Sequence, residues 1–208
     1  MKLFNKFDKT FLINLKKRED RLNEFISQVN HYDLGNFEVF EAVDGSLIEN
    51  KYNNLNNGEV GIIHSTINIL EKSIEKNYET ILIVEDDCRF NDNIYNVDDY
   101  FELLPNDWDF VYFGGNHNTH VSATNLTRIN EKVIRVYNTY SAHCVLIHKK
   151  MFKVLIEELS KFKCQSDVVY QTLQHKYNFY SFSPLIATQT PGFSNIQNTN
   201  VNYISLIT

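Results

Sequence analysis

Apolar positions along the chain fall into two rhythms. Unbroken apolar runs of strand length occur in TFLINL (10–15), in ETILIV (79–84) and inside DWDFVYFGG (107–115). Such runs suit strands covered on both faces, as in a parallel sheet. The second rhythm is helical. Leu22, Phe25, Ile26 and Val29 stand at i, i+3, i+4 and i+7 within KKREDRLNEFISQV. Ile63, Ile67, Leu70 and Ile74 repeat the stripe in GEVGIIHSTINILEKSIEK, and Phe152, Leu155, Ile156 and Leu159 do so in KKMFKVLIEELSK. Each predicts a helix with one face on a core. SDVVYQTLQHKY predicts a further helix with Ser166 as N-cap. FEVFEAV (37–43) predicts a strand ending at the turn signal Asp44-Gly45. An Asn-rich loop follows at 50–57. The 107–115 strand is expected to stop at its two glycines, VIRVY and HCVLIH are expected strands, and the chain is expected to end irregularly after FYSFSPLIATQT. The alternation of strand and helix predicts an α/β fold with a largely parallel sheet.

Length adds a bound. The 208 residues suffice for one sizeable core, and no repeat or Pro/Gly/Ser linker divides them, so residues 1–208 are expected to form one domain. Hydrophobic content of 43% and charged content of 22% fit an ordinary soluble globular protein. The 12 Tyr and 15 Phe are expected to supply much of the buried area. A formal net charge of −6 without any long basic run disfavours a nucleic-acid groove. Cys88, Cys144 and Cys164 are odd in number and widely spaced, as free thiols in a reducing compartment would be. The N-terminus lacks the apolar core of a signal peptide, and no run approaches the ~20 apolar residues of a spanning helix. A cytoplasmic location is the expectation. The sequon Asn125-Leu126-Thr127 then carries no meaning.

Candidate chemistry centres on Glu85-Asp86-Asp87, directly after the apolar run ILIV. In α/β sheets ligands bind beyond the carboxyl ends of strands. Carboxylates are the hard ligands of Mg²⁺ and Mn²⁺, which keep some waters and take substrate phosphates as further ligands. In an extended segment Glu85 and Asp87 face one side and Asp86 the other. The same tripeptide also suits a solvated acidic turn. Arg18 and Arg21, near the end of the first strand, suit phosphate recognition or a solvated helix face. His117 and His120 have i+3 spacing but no third ligand nearby, and His143 reads equally as a core residue. Asp167 stands at a helix start and Asp109 before a strand. No GxSxG, P-loop or GxGxxG is present.

Taken in order, the motifs resemble glycosyltransferase family 25, the lipopolysaccharide-type and procollagen-type sugar transferases. They are Ile13-Asn14-Leu15-Lys16-Lys17-Arg18-Glu19-Asp20-Arg21, Ala42-Val43-Asp44-Gly45, GEVGIIHST (58–66) and Val84-Glu85-Asp86-Asp87. WDFVYFGG (108–115), HCVLIHKK (143–150) and SPLIATQTPGFSNI (183–196) also look like family segments. Two positions depart from the pattern. Thr66 stands where the family has His, and Asn195 where it has Asp.

The resemblance implies a GT-A-type, Rossmann-like, mostly parallel sheet flanked by helices. It implies a nucleotide-sugar donor, commonly UDP-linked, a Mn²⁺ or Mg²⁺ ion, and inversion at the anomeric carbon. The acceptor would be a glycan, lipid-linked or protein hydroxyl. Asp87 and Glu85 are the implied metal residues. Arg18, Arg21, Asp44, Glu59, Ser65, Glu85, Gln189 and Ser194 are the implied donor-site residues. An inverting transfer needs a base for the acceptor proton, for which Asp167 is the first candidate and Asp109 the second. Two other readings remain open: a binding module that has lost catalysis, suggested by Thr66 and Asn195, and a sugar nucleotidyltransferase.

Overall fold

A computed structural model of the chain describes residues 2–117, 126–190, 192–194 and 199–201, with side chains for 2–117 and 126–190. The first half winds strand and helix in turn. Strand β1 (Lys9–Asn14) leads into α1 (Glu19–His31), β2 (Glu38–Glu41), α2 (Asn57–Glu75) and β3 (Thr80–Glu85). A two-residue turn then gives β4 (Cys88–Phe90), α3 (Val97–Glu102) and β5 (Phe110–His117). The second half holds β6 (Leu126–Arg128), β7 (Val133–Val136), β8 (Thr139–His148), α4 (Phe152–Leu159), α5 (Ser166–Leu173) and β9 (Phe179–Phe182). Three short strands follow: β10 (Ala187–Gln189), β11 (Gly192–Ser194) and β12 (Thr199–Val201).

Eight strands form one sheet in the order β2-β1-β3-β8-β5-β9-β7-β6. β1 pairs parallel with β2 and β3, and β5 with β9. β8 and β7 run antiparallel to their neighbours; the other six strands share one direction. Alternate residues of the central strands feed two cores, which is why their sequences show no polar alternation. Phe11, Ile81, Ile83, Phe110 and Tyr112 meet α2, α4 and α5 on one face. Leu12, Leu82, Val84, Val111 and Phe113 meet α1 and α3 on the other. Each fully buried Phe or Leu in these layers contributes about 1.5–3 kcal/mol.

Helix α2 begins with a full capping box. Asn56 Oδ1 accepts from Glu59 N–H at 2.9 Å, and Glu59 Oε2 accepts from Asn56 N–H at 2.8 Å. The chain leaves β1 to one side for β2, then returns through α2 to place β3 on the other side of β1. A crevice opens where the order reverses, at the carboxyl ends of β1 and β3.

Several local expectations change. Gly114 and Gly115 do not end β5; the strand runs on to His117 through register shifts at Gly114, so the glycines mark an irregular ladder instead of a stop. Gln165, not Ser166, is the N-cap of α5, and no side chain caps that end. Ile26 and Ile74 are partly exposed at the margins of their stripes. Beyond Thr190 the described residues are not irregular, because β11 pairs antiparallel with β12. Both strands are too short to carry a readable period. His120 and Asn125 lie outside the described residues.

Candidate active site

The crevice holds a cavity of about 630 Å³, within the ~300–1,000 Å³ range of small-molecule sites. Ile13, Leu15, Ala42, Val43 and Ile62 give it apolar walls, and Lys17, Arg21, Asp44, Asn56, Asn57, Glu85 and Asp86 bring polar groups to it. Its far wall is the turn Asp44–Leu47 pressed against the start of α2. A Cβ on Gly45 would lie 1.7 Å from the Asn57 carbonyl oxygen, and one on Gly61 would lie 2.5 Å from that of Val43. Only glycine permits this backbone approach. Ser65 completes the join, accepting from Val43 N–H at 2.9 Å while donating to Gly61 O at 2.8 Å. Asp44 caps the turn through Ser46 and pairs with Lys17 at 2.5 Å. Lys17 and Ser46 together hold its carboxyl down at about 2.

The acidic turn closes the other side. β3 ends at Glu85, and Asp86-Asp87 form the turn into β4. Strand alternation therefore stops at Glu85, and the turn rather than the pleat brings Asp87 close enough for its charge to act on Glu85. Glu85 and Asp86 line the cavity, while Asp87 faces β10. Arg21 spans both aspartates, with Nη1 2.7 Å from Asp86 Oδ1 and 3.4 Å from Asp87 Oδ2. Asn14 Nδ2 donates to Asp86 Oδ2 at 2.8 Å. Burial pushes the Asp86 carboxyl up, and the Arg21 and Asn14 contacts pull against that rise. Burial and the charges of Asp87, Asp86 and Asp167 push Glu85 up to about 8. Glu85 then keeps its proton at neutral pH until positive charge arrives.

Among the described residues, no three His, Cys, Asp or Glu side chains converge as a metal cage. Mg²⁺ and Mn²⁺ do not need one, since one or two carboxylates with water and substrate phosphates suffice. Glu85 and Asp87, hard oxygen donors in surplus negative charge, fit such an ion chemically.

Residues 7–170 match the model of glycosyltransferase family 25 (LPS biosynthesis protein). The chain belongs to glycosyltransferase family 25. Within the family, it is 26% identical over 130 residues to procollagen galactosyltransferase 2 of Homo sapiens, covering 52% of this chain and 21% of that protein. It is also 26% identical over 130 residues to inactive glycosyltransferase 25 family member 3 of Homo sapiens, covering 52% of this chain and 22% of that one. The chain thus spans about a fifth of the length of these relatives. A solved glycosyltransferase involved in the glycosylation of the major capsid of PBCV-1 shares the fold, with a TM-score of 0.55, 10% identity, and coverage of 91% of this chain and 95% of that one.

The family-25 residues named from sequence do not all meet at the cavity. Arg21, Asp44, Ser65 and Glu85 line the cavity, and Asp87 and Gln189 meet beside it. Asp167 lies across β8, where its Oδ2 accepts from Ser141 N–H at 3.3 Å and its Oδ1 from Val168 N–H at 2.9 Å. Its charge reaches Glu85. Arg18 grips Asp20 through Nε at 2.9 Å and Nη2 at 2.8 Å. Glu59 caps α2 and accepts from Gln165 Nε2 at 2.6 Å, away from the cavity wall. Asp109 stands before β5, at the amino edge of the sheet, accepting from Asn178 N–H at 2.9 Å. It does not join the site. The side chains of Ser194 and Asn195 lie outside the described residues.

Thr66, the departure from the family's Ser-His pair, is buried and bonds the Tyr170 phenol behind Glu85. Four contributors were not singled out from sequence: Asn14, Lys17, Asn56 and Asn57. For Asn56 the signal was present, because Asn56-x-x-Glu59 is a capping-box spacing. Nothing local marks Asn14, whose role depends on a partner 72 residues away.

Proposed function

We propose that the protein transfers a hexose, galactose or glucose, from a UDP-sugar to a hydroxyl of a glycan, lipid-linked or protein acceptor, with inversion and with a divalent cation. The observation that carries this reading is the acidic turn at the wall of the switch-point cavity, in a family-25 chain. The nucleotide would occupy the cavity, its base against Ile13, Val43 and Ile62 and its ribose near Asp44 and Asn57. Arg21 would orient the two aspartates toward the diphosphate. A bound Mn²⁺ or Mg²⁺ at Asp87 and Glu85 would neutralise charge on the diphosphate leaving group. Asp167, held by two backbone N–H groups, would take the acceptor proton.

The test is incubation with Mn²⁺ and a panel of nucleotide sugars, following donor consumption. Asp87→Ala is expected to abolish turnover. Asp167→Asn is expected to lower kcat by about 10²–10⁴-fold while leaving donor binding in place. Failure of every donor to bind or react, with Asp87→Ala without effect, would overturn the proposal. A second reading, a catalytically silent binding module, draws on Thr66 and on the similarity to an inactive relative. Donor-dependent thermal stabilisation without turnover would select it.

A further inference from the structure

Strand β10 passes the acidic turn, and one of its side chains is only half satisfied. Pairing with β4 sets Gln189 opposite Cys88, so the ladder places it beside Asp87. Thr190 N–H donates to the Asp87 carbonyl at 2.9 Å and anchors the same junction. Gln189 Nε2 lies 3.5 Å from Asp87 Oδ1, at the long limit of a hydrogen bond. Its Oε1 is buried and has no partner among the described residues. A buried amide oxygen left unpaired is unfavourable, and native structures rarely keep one without a reason.

An amide oxygen is a hard, neutral ligand of the kind that accompanies carboxylates around Mg²⁺ and Mn²⁺. The terminal torsion of glutamine is broad and two-fold, so a half-turn exchanges Oε1 with Nε2 at little cost. We infer that Gln189 is a ligand of the cation. Its amide donates to Asp87 while the turn is cation-free, and turns over to present Oε1 beside Asp87 when Mn²⁺ or Mg²⁺ binds. The inference rests on the metal-dependent reading above.

Charge explains why an amide serves here. Two carboxylates balance one divalent ion and Arg21 offsets Asp86, so a further carboxylate at 189 would leave the site net negative and repel the incoming diphosphate. A neutral oxygen adds a bond without adding that repulsion. In the cation-free state the same side chain contributes a donor to Asp87, so it opposes the carboxylate charge in one state and coordinates in the other.

The test is Mn²⁺ titration of the full chain followed by electron paramagnetic resonance, with and without UDP. Gln189→Leu keeps the volume and removes both polar atoms; it is expected to weaken Mn²⁺ binding at least about tenfold. Gln189→Glu restores an oxygen and should bind Mn²⁺ at least as tightly as the parent, while UDP binding to the Mn²⁺ form weakens. Wild-type affinity in a folded Gln189→Leu variant would overturn the inference and leave the metal reading standing. A wild-type chain that binds no Mn²⁺, with or without UDP, would overturn the metal reading and the inference together. Should Gln189→Leu fail to fold, Gln189→Ser carries the same comparison.

Discussion

Arg21 holds two carboxylates that would otherwise repel each other at the end of β3. Its side chain is 15% exposed and that of Asp86 is 10% exposed, so solvent screens their attraction little. Removing one partner of such a pair leaves an uncompensated buried charge. Arg21→Met is therefore expected to lower the free energy of unfolding by about 3 kcal/mol, read as a lower urea midpoint at unchanged m. The double variant Arg21→Met/Asp86→Asn should lose less than the sum of the two single changes, because the second substitution removes the stranded charge. Strict additivity would show that the two residues do not act as a pair. The residue types at 18, 21, 85 and 87 suggest phosphate and metal chemistry from sequence. That Arg21 serves the aspartates, and that Arg18 turns to Asp20, is set by where α1 docks.

At the scale of elements, the cavity depends on how closely the Asp44–Leu47 turn sits on α2. Alanine in place of glycine inside a helix ordinarily gains about 1 kcal/mol of propensity. At Gly61 the new methyl would instead meet the Val43 carbonyl oxygen at 2.5 Å. Gly61→Ala is expected to reverse the usual sign, destabilising the fold in a thermal melt and raising the KM for donor as the turn is pushed off the helix. A stabilised variant with unchanged KM would show that the turn is free to yield. The strands of the central sheet were legible because burial on both faces imposes unbroken apolar runs. The ends were less so. β4 and β10 are three residues each and exist through pairing with one another, 99 positions apart at Arg89 and Thr188. No local pattern can announce such a pair.

At the scale of the molecule, two buried histidines on adjacent strands link stability to pH. His117 bonds Thr139 Oγ1 at 2.8 Å and Ser181 Oγ at 3.2 Å, and His143 lies over β10 with Nε2 3.5 Å from Ala187 O. Burial lowers both from 6.5 to about 4. Between those values the unfolded chain binds more protons than the folded one, so stability falls as pH drops from about 6.5 to about 4. Glu85, raised to about 8, acts in the opposite sense over the same window, so urea titrations should show the decline in the parent and its loss or reversal in His117→Gln/His143→Gln; an unaltered slope would exclude these histidines as its source. No helix of the described residues is long and apolar enough to cross a membrane. The sequence by itself determined the α/β alternation, the two-faced central strands and the acidic residues at a strand end, because local periodicity and residue chemistry are written one position at a time. Only the tertiary structure decided that β1 and β3 flank the crevice, that Asp109 lies at the far edge while Asp167 reaches Glu85, and that Gln189 meets Asp87. Those relations depend on crossover direction and strand order, which bring together groups far apart in the chain.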